Sequence, residues 1–199
     1  MAAALVLASA SQSRASLLRA AGLDFQVDPA LVDEDEIKRG MSAEAAPAAD
    51  TAMALAEIKV LRISPRHPEA ITLAADQILE CDGEWYAKPR DAADARDQLL
   101  RLRGRRHYLR TAAVCAQGGS VIWRQLDSPA LTMRAFSESF INSYVQACGA
   151  GIVETVGSYR LEGLGVQLFS DVRGDFFSIL GLPLLPLLGF LREHGVVAT

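Results

Sequence analysis

At 199 residues, half of them hydrophobic and 22% charged, the chain has the size and composition of a single domain with a sizeable core. Its net charge of -4 argues against a general binder of nucleic acid or of an anionic membrane, so an anionic small substrate has to be held by a local cluster of cations. Three widely spaced cysteines and only three histidines exclude a disulfide framework and a multi-histidine metal site. Reduced thiols in a cytoplasmic protein, and carboxylate ligation of any metal as Mg²⁺ or Mn²⁺, are the economical readings.

The chain opens with Ala4–Ala8, a continuous apolar run that predicts a strand buried on both faces. The small, hydroxyl-rich stretch Ser9 to Arg14 follows as a loop, then a helix from Ser16 to Ala21 with Gly22 at its C-terminal cap. Such a loop turns backbone N–H groups and hydroxyls toward one spot that suits a phosphate, with Arg14 as a bidentate grip. An ordinary strand-to-helix turn with a solvated arginine has the same sequence. The stretch Met1 to Ala10 lacks the basic start and the long apolar run of a signal peptide.

Asp24 to Val27 reads as a second short strand, and Asp33-Glu34-Asp35-Glu36 as an acidic surface loop. A helix is expected from about Pro47 to Ile63, carrying Lys59 and stopped by Ser64-Pro65. Ala70 to Ala75 is a second buried strand, with Asp76-Gln77 directly after it and apolar Ile78-Leu79 beyond. A carboxylate in such a run needs a partner, which a metal, a proton-transfer role or a paired arginine would each supply.

Asp82-Gly83 marks a turn and Trp85 to Pro89 a short strand. Asp91 caps a helix to about Leu102 that Gly104 ends. The patch from Arg101 to Arg110 is the most basic in the chain, yet with Tyr108 as its one interleaved aromatic it does not make an RNA-binding surface. Tyr108–Gln117 and Ser120–Leu126 form a hairpin around Gly118-Gly119, and a helix runs from Ser137 to Cys148. A glycine-spaced loop from Gly157 to Gly165 leads through a strand to Gly181-Leu182-Pro183 and a last apolar helix. That final run is too short, and too rich in proline at Pro183 and Pro186, to cross a bilayer. Alternating helices and strands followed by a long hairpin predict α/β with a mixed sheet, in one domain over residues 1–199.

Taken in order, several segments resemble the Maf family of nucleotide pyrophosphatases along nearly the whole chain. Leu7-Ala8-Ser9-Ala10-Ser11 is similar to the family's opening signature, Asp33-Glu34 to its acidic pair, and Leu55-Ala56-x-x-Lys59 to its helix motif. Asp76 after a strand, Lys88-Pro89, Gly104-x-x-His107-x-x-x-Thr111 and Gly181-Leu182-Pro183-Leu184 continue the resemblance. It implies a mixed twisted sheet with flanking helices, as two lobes around a nucleotide cleft in the Maf and ITPase-like manner. It also implies hydrolysis of a nucleoside triphosphate to monophosphate and pyrophosphate with a divalent cation. Asp76 would be the general base, Glu34 would share the metal with it, and Ser9, Arg14, Lys59 and Lys88 would grip the triphosphate. A homodimer is the oligomeric state the resemblance suggests. A base near the water and cations on the developing charge are what this reaction needs.

Within the family, Gln77 and Glu162 resemble the branch that prefers 7-methyl-GTP over the branch that prefers dTTP and UTP. A carboxylate at Glu162 can accept from guanine N1–H and its amino group, or face the charge of a methylated base. Gln12-Ser13-Arg14-Ala15 departs from the family, which carries a proline and two basic residues there, and Ser13 stands where the 7-methyl-GTP branch tends to have tryptophan. That departure leaves room for a dTTP/UTP or broader preference. The alternative from another class is a nucleotide-binding regulator of cell division with little activity, and the full set Glu34, Asp76, Lys59 and Lys88 favours the enzyme.

Overall fold

The computed structural model describes residues 5–198, so Ala4, the first residue of the expected opening strand, lies outside the described residues, as does the start of the Met1–Ala10 stretch. In chain order the elements are β1 (Leu5–Leu7), α1 (Gln12–Ala20), β2 (Gln26–Val27), α2 (Glu34–Ala43), α3 (Ala48–Ile63), β3 (Ile71–Cys81), β4 (Glu84–Tyr86), α4 (Ala92–Leu102), β5 (Arg106–Gln117), β6 (Ser120–Asp127), β7 (Ala130–Met133), α5 (Glu138–Cys148), β8 (Phe169–Arg173), α6 (Phe176–Ile179) and α7 (Leu184–Glu193). The hydrogen-bonded strand order is β2-β1-β3-β5-β7-β8, with β4 on β3 and β6 on β5. β1 pairs in parallel with β2 and β3, and β5 pairs antiparallel with β6 and β7, so the sheet is mixed as expected. No described helix is long and apolar enough to cross a membrane.

The chain divides into two compact units: Met1–Gln77 with Thr111–Asp127 and Asp175–Thr199, and Ile78–Arg110 with Ser128–Gly174. The division falls inside β3 and inside β5. In the first unit Leu5, Leu7, Leu73 and Cys115 of the sheet pack with Leu18 of α1 and Leu187 and Leu191 of α7 in one apolar cluster. Each such leucine, fully removed from water, contributes about 1.5–3 kcal/mol. Trp123 of β6 stacks on Phe190 of α7 with ring centroids 5.4 Å apart. α3 buries Leu55, Ala56, Val60 and Ile63, and Lys59 shares that buried face.

In the second unit α4 buries Ala95, Leu99 and Leu102, and α5 buries Ile141 and Tyr144. His107 at the start of β5 lies 5.7 Å from the Tyr159 ring and 5.9 Å from Phe169, and its Nε2 is 2.8 Å from the Tyr159 hydroxyl. The Tyr144 hydroxyl donates to the Ser158 carbonyl at 3.0 Å, pinning the loop after α5.

Several expectations need correction, among them the strand expected over Trp85 to Pro89, which is Glu84–Tyr86 and leaves Lys88 outside it. The acidic stretch is no loop: Asp33 caps α2 by accepting from the Glu36 N–H at 2.9 Å, and Glu34, Asp35 and Glu36 form its first turn. Carboxylates there oppose the positive end of the helix dipole, which offsets their mutual repulsion. α1 begins at Gln12, four residues earlier than expected, so Arg14 belongs to a helix rather than a loop. Asp76 lies within one continuous eleven-residue strand, not after one. Ala130–Met133 forms a strand that the sequence reading passed over, and much of the Gly157–Gly165 loop winds into short 3-10 turns.

Candidate functional site

The first unit gathers four charges from three elements. Lys59 on α3, 4% exposed, places its Nζ 2.6 Å from Asp76 Oδ1 on β3 and 2.7 Å from Glu34 Oε1 on α2. Glu34 and Lys38 stand one turn apart on α2, and Lys38 Nζ is 3.6 Å from both Glu34 Oε2 and Asp76 Oδ2. Asp76 thus finds its partner in a lysine, where the sequence left an arginine, a metal or a proton-transfer role open. Burial pushes the Glu34 carboxyl up, but the Lys59 charge and hydrogen bond, with Lys38 adding to them, hold it below the ordinary carboxylate value.

Asp76 Oδ2 is buried and has no hydrogen-bond partner. An unpaired buried carboxylate oxygen is costly, and a bound cation or a transferable proton would relieve it. Among the described residues no three His, Cys, Asp or Glu side chains gather as a metal cluster. The fit of a cation therefore rests on Glu34 and Asp76 alone. Two hard carboxylates suit Mg²⁺ or Mn²⁺, which take one or two protein oxygens and complete their shell with water and phosphate.

Beside this group stands the opening of α1. Ser11 caps the helix by accepting from the Arg14 N–H at 3.4 Å. Arg14 Nη1 donates to Ser9 Oγ at 3.0 Å and Arg14 Nε to the Gly181 carbonyl at 2.9 Å; its other side-chain N–H groups make no hydrogen bond among the described residues. Burial draws the Arg14 pKa down against the opposing charges of Asp76 and Glu34, and the guanidinium stays protonated at any working pH. Ser13 Oγ donates to the Leu180 carbonyl at 2.9 Å. Gln77 Nε2 donates to Thr111 Oγ1 at 2.8 Å and to the Ser178 and Ile179 carbonyls at 3.0 and 3.3 Å.

Of the residues singled out from sequence, Ser9, Ser13, Arg14, Glu34, Lys59, Asp76 and Gln77 all belong to this unit. Lys88 and Glu162 belong to the second, and both are exposed. Lys88 follows β4, and Glu162 sits on the loop whose tight path brings Gly165 against the Arg160 backbone. Lys38 was missed. Its signal was present: Asp33 with Glu36 three residues on is a helix-start signature, and a helix there puts Glu34 and Lys38 on one face.

A family model described as "Maf-like protein" matches residues 4–194. A protein of Granulibacter bethesdensis is 53% identical over 96% of this chain and 96% of its own length. One of Paramagnetospirillum magneticum is 50% identical over 96% and 98%, and one of Hyphomonas neptunium 45% identical over the full length of both. All three relatives carry the name nucleoside triphosphate pyrophosphatase.

Proposed function

The chain belongs to the Maf family, and from that premise we propose that it hydrolyses nucleoside triphosphates between the α and β phosphates, with Asp76 as general base. The observation that carries the reading is Asp76 Oδ2, buried, without a hydrogen-bond partner and in a ring of two lysines and a second carboxylate. Lys59 donates to Oδ1 at 2.6 Å, which fixes the carboxylate and leaves Oδ2 to face the reacting water. Oδ2 takes a proton from that water as its oxygen attacks the α phosphorus. The bond from that phosphorus to the bridging oxygen breaks, and pyrophosphate leaves with the electron pair.

Ser9, Arg14 and Lys88 would hold the phosphates, with the third N–H of the Lys59 ammonium adding to them. Glu34 and Asp76 would hold a Mg²⁺ or Mn²⁺ ion, whose chemistry is to screen phosphate charge and acidify bound water. The base we assign is a 7-methylated guanine, on the exposed Glu162 carboxylate. A broader range of bases is the second reading. It is favoured by the Gln77 amide and the Ser13 hydroxyl, both directed at backbone carbonyls rather than left free for a base. Cytoplasmic placement is supported by three free thiols, two of them buried, and a homodimer is the state to test by light scattering.

The experiment is pyrophosphate release by the purified chain with Mg²⁺ or Mn²⁺ on 7-methyl-GTP, GTP, UTP, dTTP and CTP. Turnover that falls roughly a hundredfold or more in Asp76→Asn supports the mechanism. Preference for UTP and dTTP would retain the reaction and overturn the base assignment. No metal-dependent turnover of any triphosphate by folded protein would overturn the function.

A further inference from the structure

Helix α6 is only four residues long, and the carbonyls at its C-terminal end have little intrahelical bonding to use. Four successive carbonyls there, of Ser178, Ile179, Leu180 and Gly181, all receive side-chain donors from three distant stretches of chain. Gln77 takes the Ser178 and Ile179 oxygens at 3.0 and 3.3 Å, Ser13 the Leu180 oxygen at 2.9 Å, and Arg14 Nε the Gly181 oxygen at 2.9 Å. Thr111 Oγ1 closes the set: it accepts from Gln77 at 2.8 Å and donates to the Ser178 carbonyl at 2.9 Å. Gly181 has φ +102°, a region that suits glycine, and this peptide turns its carbonyl to Arg14.

We propose that the carbonyl run Ser178–Gly181 is a rail that aims the Arg14 guanidinium, and that Gln77 and Ser13 are positioning residues that hold the rail rather than readers of the base. Gln77 follows Asp76 in the same strand, so one side chain ties the strand that carries the carboxylate to the segment that orients the cation. With Nε on Gly181 and Nη1 on Ser9, the guanidinium has a fixed plane, and its uncommitted N–H groups present a preset fork. Without the rail Arg14 keeps its charge and loses its direction. The proposal rests on the reading above for the ligand being a phosphate.

The test is binding of inorganic pyrophosphate by titration calorimetry, alongside KM and kcat on 7-methyl-GTP and UTP, for wild type, Gln77→Met, Ser13→Ala and Ser13→Thr. Loss of one rail hydrogen bond should weaken pyrophosphate about fivefold in Ser13→Ala, more in Gln77→Met, and Ser13→Thr, which keeps the hydroxyl, should restore it. KM should rise alike for both nucleotides, leaving their kcat/KM ratio within about twofold of wild type. A tenfold change in that ratio in Gln77→Met would make Gln77 a base reader and overturn the proposal. Wild-type pyrophosphate affinity in a folded Ser13→Ala would overturn it too, and this variant decides if Gln77→Met does not fold. Wild type that binds pyrophosphate yet turns over no triphosphate would sink the proposed reaction and leave the rail to the binding data.

Discussion

Lys59 shows what a single side chain does here. Its ammonium is buried between Asp76 and Glu34, at 2.6 and 2.7 Å. Removing it strands a buried carboxylate, and breaking such a pair costs about 3–5 kcal/mol. Lys59→Met should therefore lose stability on that scale in urea denaturation at pH 7, as well as all turnover. Lys38 sits farther out, at 3.6 Å from each carboxylate with its side chain 28% exposed. A half-solvated pair at that distance is worth roughly 0–1 kcal/mol, so Lys38→Met should leave the unfolding midpoint nearly unmoved. Equal losses in the two variants would contradict this division between a buried and a superficial cation.

At the scale of elements, the loop that carries Glu162 depends on Gly165. A Cβ there would run into the Arg160 carbonyl oxygen and lie 2.8 Å from the Arg160 N, both backbone atoms that cannot swing aside. Gly165→Ala should cost about 1–3 kcal/mol through displaced backbone. It should also alter base preference while leaving Asp76 chemistry in place, as KM ratios across the triphosphate panel would show. Unchanged stability and unchanged ratios would mean that the loop accommodates a side chain freely.

The elements that were legible carried their own punctuation. Pro47 and Ser64 bracket α3, Asp91 and Gly104 bracket α4, Ser137 and Gly149 bracket α5, and Gly118-Gly119 closes the β5–β6 hairpin. What was lost had ambiguous signals. The like charges of Asp33–Glu36 read as solvated surface, because repulsion is visible in a sequence and a helix dipole is not. β7 is four residues with a weak alternation after Pro129, held by pairing with β5 and β8 rather than by its own propensity. The candidate site was legible as residue types, Glu34, Lys59 and Asp76 among them. Their mutual pairing was not, since spacing along a chain does not reveal which lysine answers which carboxylate. Gln77 and Ser13 entered only as marks of base preference for the same reason: their acceptors are backbone carbonyls about a hundred or more positions away, which no side-chain pattern marks.

For the molecule as a whole, stability should fall with acid in two successive steps that overlap near pH 4. His107 is wholly buried beside Tyr159, and burial lowers its pKa from 6.5 to about 4. Above pH 6.5 the ring is neutral folded and unfolded, so it adds no pH dependence. Between 6.5 and about 4 the unfolded chain binds a proton that the folded chain refuses, so stability rises with pH across that window and is lost on acidification. A shift of this size corresponds to about 3 kcal/mol in total. Glu34 acts lower down: its folded pKa lies below the ordinary value of 4.5, so its contribution is complete above that pH and disappears as pH drops through the depressed value. Denaturant titrations at pH 7, 5.5 and 4.5 isolate the histidine. Wild type should lose most of that stabilisation over the interval, and His107→Gln, which does not titrate, should show a clearly flatter profile whatever its absolute stability. Parallel profiles in the two proteins would assign the acid sensitivity to other groups and leave His107 a neutral packing residue with no share in it.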